Sequence, residues 1–198
     1  MATCGRHSLS SRQESPIAIP AGVRTHLVGI TPDYHDTPVQ LAEDPYAVRS
    51  ECETGSYVRL GGTRYELEQF HFHSPGEHTL SGIAFGMELH LVHSGSGDRW
   101  AIISVMIREG RSNPAVDAVT AALHGDPSAT CDPGDLLPDT LRHVAYTGSL
   151  TQPPYSTGVA WRVCLEPLEV SAAQLSAVGR IHPGNNRPLQ PLQGRIFE

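Results

Sequence analysis

Lysine is missing from this chain of 198 residues; all 14 basic residues are arginine, set against 21 acidic ones. The formal net charge is -7, and no run of the chain gathers its basic residues into a cluster. An acidic surface without basic runs argues against nucleic acid and against an anionic membrane surface as partners. The missing lysine itself reads as codon bias in a GC-rich source and carries no functional meaning. Long apolar runs are missing too: none approaches the ~20 residues of a membrane-spanning helix. Met1 to Ser11 is polar and lacks the basic-then-apolar pattern of a secretory leader. The expected location is therefore cytoplasmic, or periplasmic or secreted if the chain is a mature form. Repeats and dividing linkers are absent, which predicts one domain over residues 1–198 with 1–11 as a flexible lead-in.

Cysteine is scarce, with Cys4, Cys52, Cys131 and Cys164 making up the set. An even count permits disulfides without showing any, and the pairing is open. Cys164 lies in the apolar run Trp161-Arg-Val-Cys-Leu165 and reads as a small buried hydrophobe.

Glycine and proline are plentiful at 19 and 16 residues, and they punctuate many short segments, as a sheet-rich fold with long loops requires. From Val23 to Val58 strands and loops alternate without a strong period. Tyr57-Val-Arg-Leu60, then Gly61-Gly62, then Thr63 onward reads as a hairpin closed by a two-glycine turn. Trp100 to Ile107 is almost continuously apolar, the mark of a central buried strand. Asn113-Pro114 opens a helix with Ala115, Val116, Val119, Ala122 and Leu123 on one face and Gly125 at its end. A second short helix is expected after Ser171, stopping at Gly179.

The chemistry concentrates in Gln69-Phe-His-Phe-His-Ser-Pro-Gly-Glu-His78 and in Met87-Glu-Leu-His-Leu-Val-His93. In a strand, residues two apart share a face. Gln69, His71 and His73 therefore lie on one side, with Phe70 and Phe72 on the other. In the second stretch Glu88, His90 and Val92 share a face. If the two strands pair, three imidazoles converge with Gln69 and Glu88 beside them as acceptors. Three neutral imidazoles with a fourth position open describe a catalytic zinc site. The acceptors fit as well, since a zinc-bound histidine donates its other N–H to a carboxylate or carbonyl. A lone histidine in a strand is more often packed or solvated than a ligand; the His-x-His and Glu-x-His pairs together reverse that balance. His71-x-His73 with Glu77 also fits the first half of a cupin motif, which would use Glu77 as a ligand to iron or manganese. The Pro-x-Gly, His and Asn of a cupin's second half do not follow residue 93, so that reading ranks second.

The run Tyr65 to His78, followed by Glu88-Leu-His-Leu-Val-His93, resembles the α-class carbonic anhydrases in their bacterial form. Three further stretches resemble the family in the right order: Gln13-Glu-Ser-Pro-Ile17, Tyr146-Thr-Gly-Ser-Leu-Thr-Gln-Pro-Pro154 and Asn186-Arg-Pro-Leu-Gln-Pro191. The likeness runs from about residue 12 to 195.

The resemblance implies a mainly β (α+β) fold, a large twisted, mostly antiparallel sheet with short peripheral helices. It implies the reversible hydration of CO2 to bicarbonate and a proton by attack of a zinc-bound hydroxide, with zinc held by His71, His73 and His90. Gln69 and Glu88 would orient His71 and His90. Thr151 would accept the hydroxide's hydrogen and donate its own to Glu77, aiming the nucleophile. Val92, Ile102, Leu150 and Trp161 would form the apolar substrate pocket, although each could equally be ordinary core. His78 is expected to bond within the core, to Tyr146. Sulfonamides and inorganic anions would be inhibitors at zinc, esterase activity a side reaction, and a homodimer is left open. A zinc-binding but catalytically silent relative serving as an interaction module is the alternative.

Departures from the family pattern fall at the rim. The aromatic segment that usually precedes the Gln-Ser-Pro-Ile element is missing. Secreted members join a cysteine near the position of Cys4 to one after the Pro-Pro; Tyr155 stands there, so that bridge is not expected. Gln152 replaces the usual Thr and would narrow the pocket or hold bicarbonate longer. The register puts Tyr46 where fast members carry a proton-shuttling histidine. A phenol, ionising near ~10, exchanges protons less readily at neutral pH than an imidazole near ~6.5. His35 and His7 are the remaining candidates for that task.

Overall fold

Gly61 and Gly62 both take positive φ, 55° and 87°, so the two-residue turn they form matches the right-handed twist of the strands it joins. From this hairpin a ten-stranded sheet extends. The computed structural model describes residues 13–43 and 46–198. The expected lead-in over 1–11, Cys4 and His7 lie outside the described residues.

The strands of the large sheet are β1 (Ile30–Asp33), β2 (Gln40–Glu43), β3 (Val48–Glu51), β4 (Tyr57–Leu60), β5 (Thr63–His73), β6 (Met87–Gly95), β7 (Arg99–Glu109), β8 (His143–Ser149), β9 (Thr157–Cys164) and β10 (Leu168–Val170). Their spatial order is β8-β9-β7-β6-β5-β3-β2, with β4 on β5, β1 on β4 and β10 on β7. Pairing is antiparallel throughout except where β9 and β10 join β7. Around the sheet lie helices α1 (Pro114–Leu123) and α2 (Ala172–Gly179). The fold class is as expected, a large, mostly antiparallel sheet with short helices at its margin.

The sheet separates two apolar clusters. Phe70, Leu89, Leu91, Ile103, Val105 and Ile107 pack on one face with Val116 and Val119 of α1 and Val178 of α2. Ile17, Val92, Ile102, Met106, Val144, Tyr146 and Trp161 fill the other. Strand β7 is buried on both faces from Ala101 to Ile107, which is why its sequence is continuously apolar rather than alternating. Cys164 is a free thiol, fully buried in the first cluster.

Both helices start as their sequences indicate. Asn113 caps α1, its Oδ1 accepting from Val116 N at 3.1 Å, with Pro114 in the first turn. Ala115, Val116 and Val119 are buried, while Ala122 and Leu123, expected on the same face, are only half-buried. Ser171 and Gln174 form a capping box on α2. Gln174 also ties the helices together. Its Nε2 donates to Asn113 O at 2.7 Å and to Asp117 Oδ1 at 2.6 Å, while its Oε1 accepts from Asn113 N at 3.1 Å. Replacing Gln174 by Ala strands these buried groups together, and each costs about 1–3 kcal/mol when unmet. Gln174→Ala should therefore lower unfolding free energy in urea by roughly 2–4 kcal/mol at an unchanged m-value.

Candidate metal centre

Strand register brings the three imidazoles together. On the antiparallel β5–β6 pair His73 stands opposite Glu88, His71 opposite His90, and Gln69 opposite Val92. Ring centroids of His71, His73 and His90 lie 4.6 to 5.2 Å apart. One nitrogen from each falls within 4.8 Å of the others, and all three side chains are buried.

Each ring is fixed through its other nitrogen. His71 Nδ1 faces Gln69 Oε1 at 2.9 Å, and His73 Nδ1 faces the carbonyl of Asn185 at 3.2 Å. His90 Nε2 lies 2.7 Å from Glu88 Oε1. These partners only accept, so the rings donate to them and turn unprotonated nitrogens inward. Two consequences test whether a metal fits. His71 Nε2 and His73 Nε2 stand 3.0 Å apart, a repulsive meeting of lone pairs unless a cation lies at hand. His90 Nδ1 is buried and has no hydrogen-bond partner. A cation accepting all three lone pairs resolves both faults, and the all-imidazole donor set suits zinc.

Glu88 is the second constraint. Its carboxylate is fully buried and accepts from five donors at 2.7 Å each: the backbone N–H groups of Glu77 and His78, His78 Nδ1, His90 Nε2 and Ser104 Oγ. Burial alone would raise its pKa, but the surrounding His78 and His90 and their hydrogen bonds hold it well below the usual carboxylate range. His78 continues the network to the Tyr146 hydroxyl at 2.7 Å, the contact expected for it. Tyr146 meets Ser15 Oγ at 2.9 Å, and Trp161 Nε1 donates to Ser149 O at 3.0 Å.

Glu77 differs. Burial, then the charge of Glu88, push its pKa well above the usual range; the Arg187 backbone N–H at 2.7 Å, the Thr151 hydroxyl and the Arg187 charge oppose this. Its Oε2 lies 3.5 Å from His73 Nε2 and 3.8 Å from His90 Nε2. Thr151 is buried beside it. Val92, Ile102 and Trp161 are buried in the cluster on this face, with Leu150 packed at its border. Tyr46, Thr151, Gln152, Pro153 and Tyr155 line a cleft of about 330 Å³ that continues along Gly184 to Pro188. Tyr46 is 43% exposed there, and His35 is exposed.

Two partners were not legible from side chains: the Asn185 carbonyl behind His73 and the Arg187 N–H on Glu77. Both are backbone groups, and only their neighbourhood to the Asn-Arg-Pro stretch offered a signal.

Burial sets a pH dependence on the metal-free protein. His73 is lowered to about 3 and His93 to about 4, desolvation being the first cause in each; His71 and His90 are lowered for the same first reason. Unfolded, each takes a proton near ~6.5. Between that value and the depressed native ones the unfolded chain binds more protons, so stability is full above ~6.5 and falls as pH drops. Glu77, raised in the fold, works in the opposite direction but is one group against four. Chelator-treated protein should melt roughly 5–10 °C lower at pH 5 than at pH 8, and added zinc should raise the melting temperature more at pH 8 than at pH 5, as read by thermal denaturation.

Comparison with known proteins agrees with this geometry. A family model described as eukaryotic-type carbonic anhydrase matches residues 4–197. A carbonic anhydrase of Klebsiella pneumoniae is 35% identical over 192 residues, covering 92% of this chain and 78% of its own. The α-carbonic anhydrase of Thermovibrio ammonificans, solved with the inhibitor sulfanilamide, superposes with a TM-score of 0.85 at 32% identity, over 94% of this chain and 87% of that one. The α-carbonic anhydrase of Photobacterium profundum also gives 0.85 at 32% identity, over 96% and 90%. The chain belongs to the eukaryotic-type, or α-class, carbonic anhydrases, a metalloenzyme family whose reaction is the hydration of carbon dioxide.

Proposed function

We propose that His71 Nε2, His73 Nε2 and His90 Nδ1 hold a zinc ion and that the protein catalyses the reversible hydration of CO2 there. The observation that carries this is the orphaned His90 Nδ1 beside two inward-facing Nε2 atoms. Zinc in this place would supply a Lewis acid strong enough to make a water molecule ionise near neutral pH.

The chain's own residues supply the rest. Thr151 donates its hydroxyl proton to Glu77 and so presents a lone pair toward the reaction centre, fixing the direction from which the nucleophile's hydrogen is held. Glu77 can serve as that acceptor because a dication among three neutral rings favours its ionised form, adding to the Arg187 N–H. Val92, Ile102, Leu150 and Trp161 form an apolar wall that takes CO2 without polar partners and keeps bulk water away. Gln152 at the mouth offers an amide where bicarbonate departs. Tyr46, on the same cleft, is the residue nearest to a proton exchanger. Sulfonamide and anion inhibitors should bind at the same centre.

Stopped-flow CO2 hydration on protein of verified zinc content tests the reading. Activity that vanishes on chelation and returns with zinc is expected; full occupancy without hydration would overturn it. Thr151→Ala should retain zinc yet lose about 100-fold in kcat/KM, the scale of removing one well-placed polar group from a reaction centre. Tyr46→His should raise the plateau rate in weak buffer, and added imidazole should raise the rate of the parent more than that of the variant.

A further inference from the structure

Tyr155 holds a backbone conformation that its side chain disfavours. Its φ is +60°, in the left-handed region where glycine or asparagine is usual. The turn that places it there is closed by its own N–H, which donates to Gln152 O at 2.9 Å. Outliers of this kind persist where the surroundings over-determine them, and they gather at functional sites. Here the ring is half-buried on the wall of the cleft that also holds Thr151, Gln152 and Arg187.

What the ring meets is a guanidinium. The central carbon of the Arg187 guanidinium lies 3.7 Å from the centre of the Tyr155 ring. The same side chain donates from Nη1 to Ser15 O at 2.6 Å and from Nη2 to the Glu14 carboxylate. The Arg187 side chain is only 13% exposed, so its charge is largely withdrawn from water, where a ring face counts for more. Arg187 is thus held between the Glu14–Ser15 stretch and the turn that follows Thr151. Its backbone N–H meanwhile donates to Glu77 Oε1 at 2.7 Å. Nearby Asn185 is fixed separately, from the end of β5: its Oδ1 accepts from Ser74 N at 2.9 Å and its Nδ2 donates to Phe72 O at 3.0 Å. The carbonyl behind His73 has its own anchors; the donor on Glu77 has those of Arg187.

We propose that Tyr155 is a positioning residue for the reaction: its ring holds Arg187 so that the Arg187 N–H stays on Glu77 and keeps that carboxylate turned as the acceptor of the Thr151 hydroxyl. The inference rests on the zinc reading above and extends it to a residue outside the reaction centre. Glu77 has two donors, the Arg187 N–H and the Thr151 hydroxyl. With the first loosened, the carboxylate is free to turn about its last torsion, which is broad and roughly two-fold. The Thr151 proton then follows a moving acceptor. Tyr155 touches neither substrate nor nucleophile; it acts through Arg187 and Glu77.

Two readouts on the full chain test this. Amide hydrogen exchange, followed by NMR, reports the Arg187 N–H directly and needs no turnover. Tyr155→Leu should speed exchange at Arg187 by about 3- to 30-fold, the span of a cation–π contact between exposed and desolvated settings. At full zinc occupancy it should also lower kcat/KM for CO2 hydration roughly tenfold. Tyr155→Phe keeps the ring and should match the parent in both readouts. Tyr155→Gly suits the backbone but lacks the ring, and should behave as Tyr155→Leu does. Tyr57→Leu is the control. Tyr57 carries an equivalent stack, with Arg64 at 3.6 Å, but stands opposite Glu66, about 17 Å along β5 from His71. Its loss should leave both readouts unchanged. Parent-like exchange at Arg187 in Tyr155→Leu, or a Tyr155→Gly variant equal to the parent, would overturn the proposal. A parent that holds zinc yet fails to hydrate CO2 would instead overturn the zinc reading, and exchange at Arg187 would still decide whether Tyr155 holds it.

Discussion

A single buried carboxylate governs how this structure is arranged. Glu88 sits in the middle of the sheet with no access to water, where an unmet charge would cost several kcal/mol. Five donors converge on it, two from the backbone, two from histidines and one from Ser104. Because an ionised carboxylate only accepts, both histidines must donate, and that fixes their tautomers. His90 then turns Nδ1 toward the metal centre, and His78 turns Nε2 toward Tyr146. A neutral glutamine could not hold all five donors, so the charge is a structural requirement as much as an electrostatic one.

The sheet makes this burial feasible by keeping two kinds of chemistry apart. On β5 and β6 alternate residues serve opposite faces, so Phe70, Leu89 and Leu91 pack under the helices while His71, His73, Glu88 and His90 meet on the other side. Register is essential here, since a slip of one residue would bury the imidazoles among aliphatic side chains and expose the core. A bulge adjusts the pairing just beyond the three histidines. Val92 faces Gln69 and His93 faces Leu67, which leaves Glu68 as the extra residue and keeps Gln69 beside His71.

Much of the inner site could be read from the sequence because strand alternation converts spacing directly into facing. The period of two puts Gln69, His71 and His73 on one face of their strand and Glu88 and His90 on one face of theirs, and pairing of the two strands brings the faces together. The helices were legible through Asn113-Pro114 and through Ser171 with Gln174, whose capping chemistry is local. Strands β1 to β3 were not. They are four residues each and lie toward the margin of the sheet, so their burial does not impose a sustained pattern; Ile30–Asp33 runs buried, exposed, intermediate, exposed. Which imidazole nitrogen faces inward was also hidden, because the choice is made by partners such as the Asn185 carbonyl, more than a hundred residues away and without a side-chain signature. The apolar residues Val92, Ile102 and Trp161 belong to a buried cluster, so their spacing could not separate pocket from core.

The network that begins at Glu88 does not stop at the ligands. His78 carries it to Tyr146, Tyr146 to Ser15, and Ser15 exchanges bonds with Ser149, its N–H donating to Ser149 Oγ at 3.0 Å while Ser149 N–H donates to its Oγ at 3.2 Å. Ser149 Oγ in turn donates to the carbonyl of Leu150, the residue before Thr151. Gly148 allows this close approach: a Cβ there would lie 2.1 Å from Ser15 Oγ and 2.7 Å from the Tyr146 ring. The loop that presents Thr151 and the ring that presents His90 Nδ1 are therefore set by one chain of donors and acceptors. On the proposed zinc reading, metal affinity and aim of the nucleophile cannot vary independently: any change that loosens Glu88 relaxes His90 directly and Thr151 through five further hydrogen-bonded groups. The mouth, by contrast, is lined by Tyr46 and Gln152. On the proposed reading, substitutions there would alter proton exchange and the departure of bicarbonate.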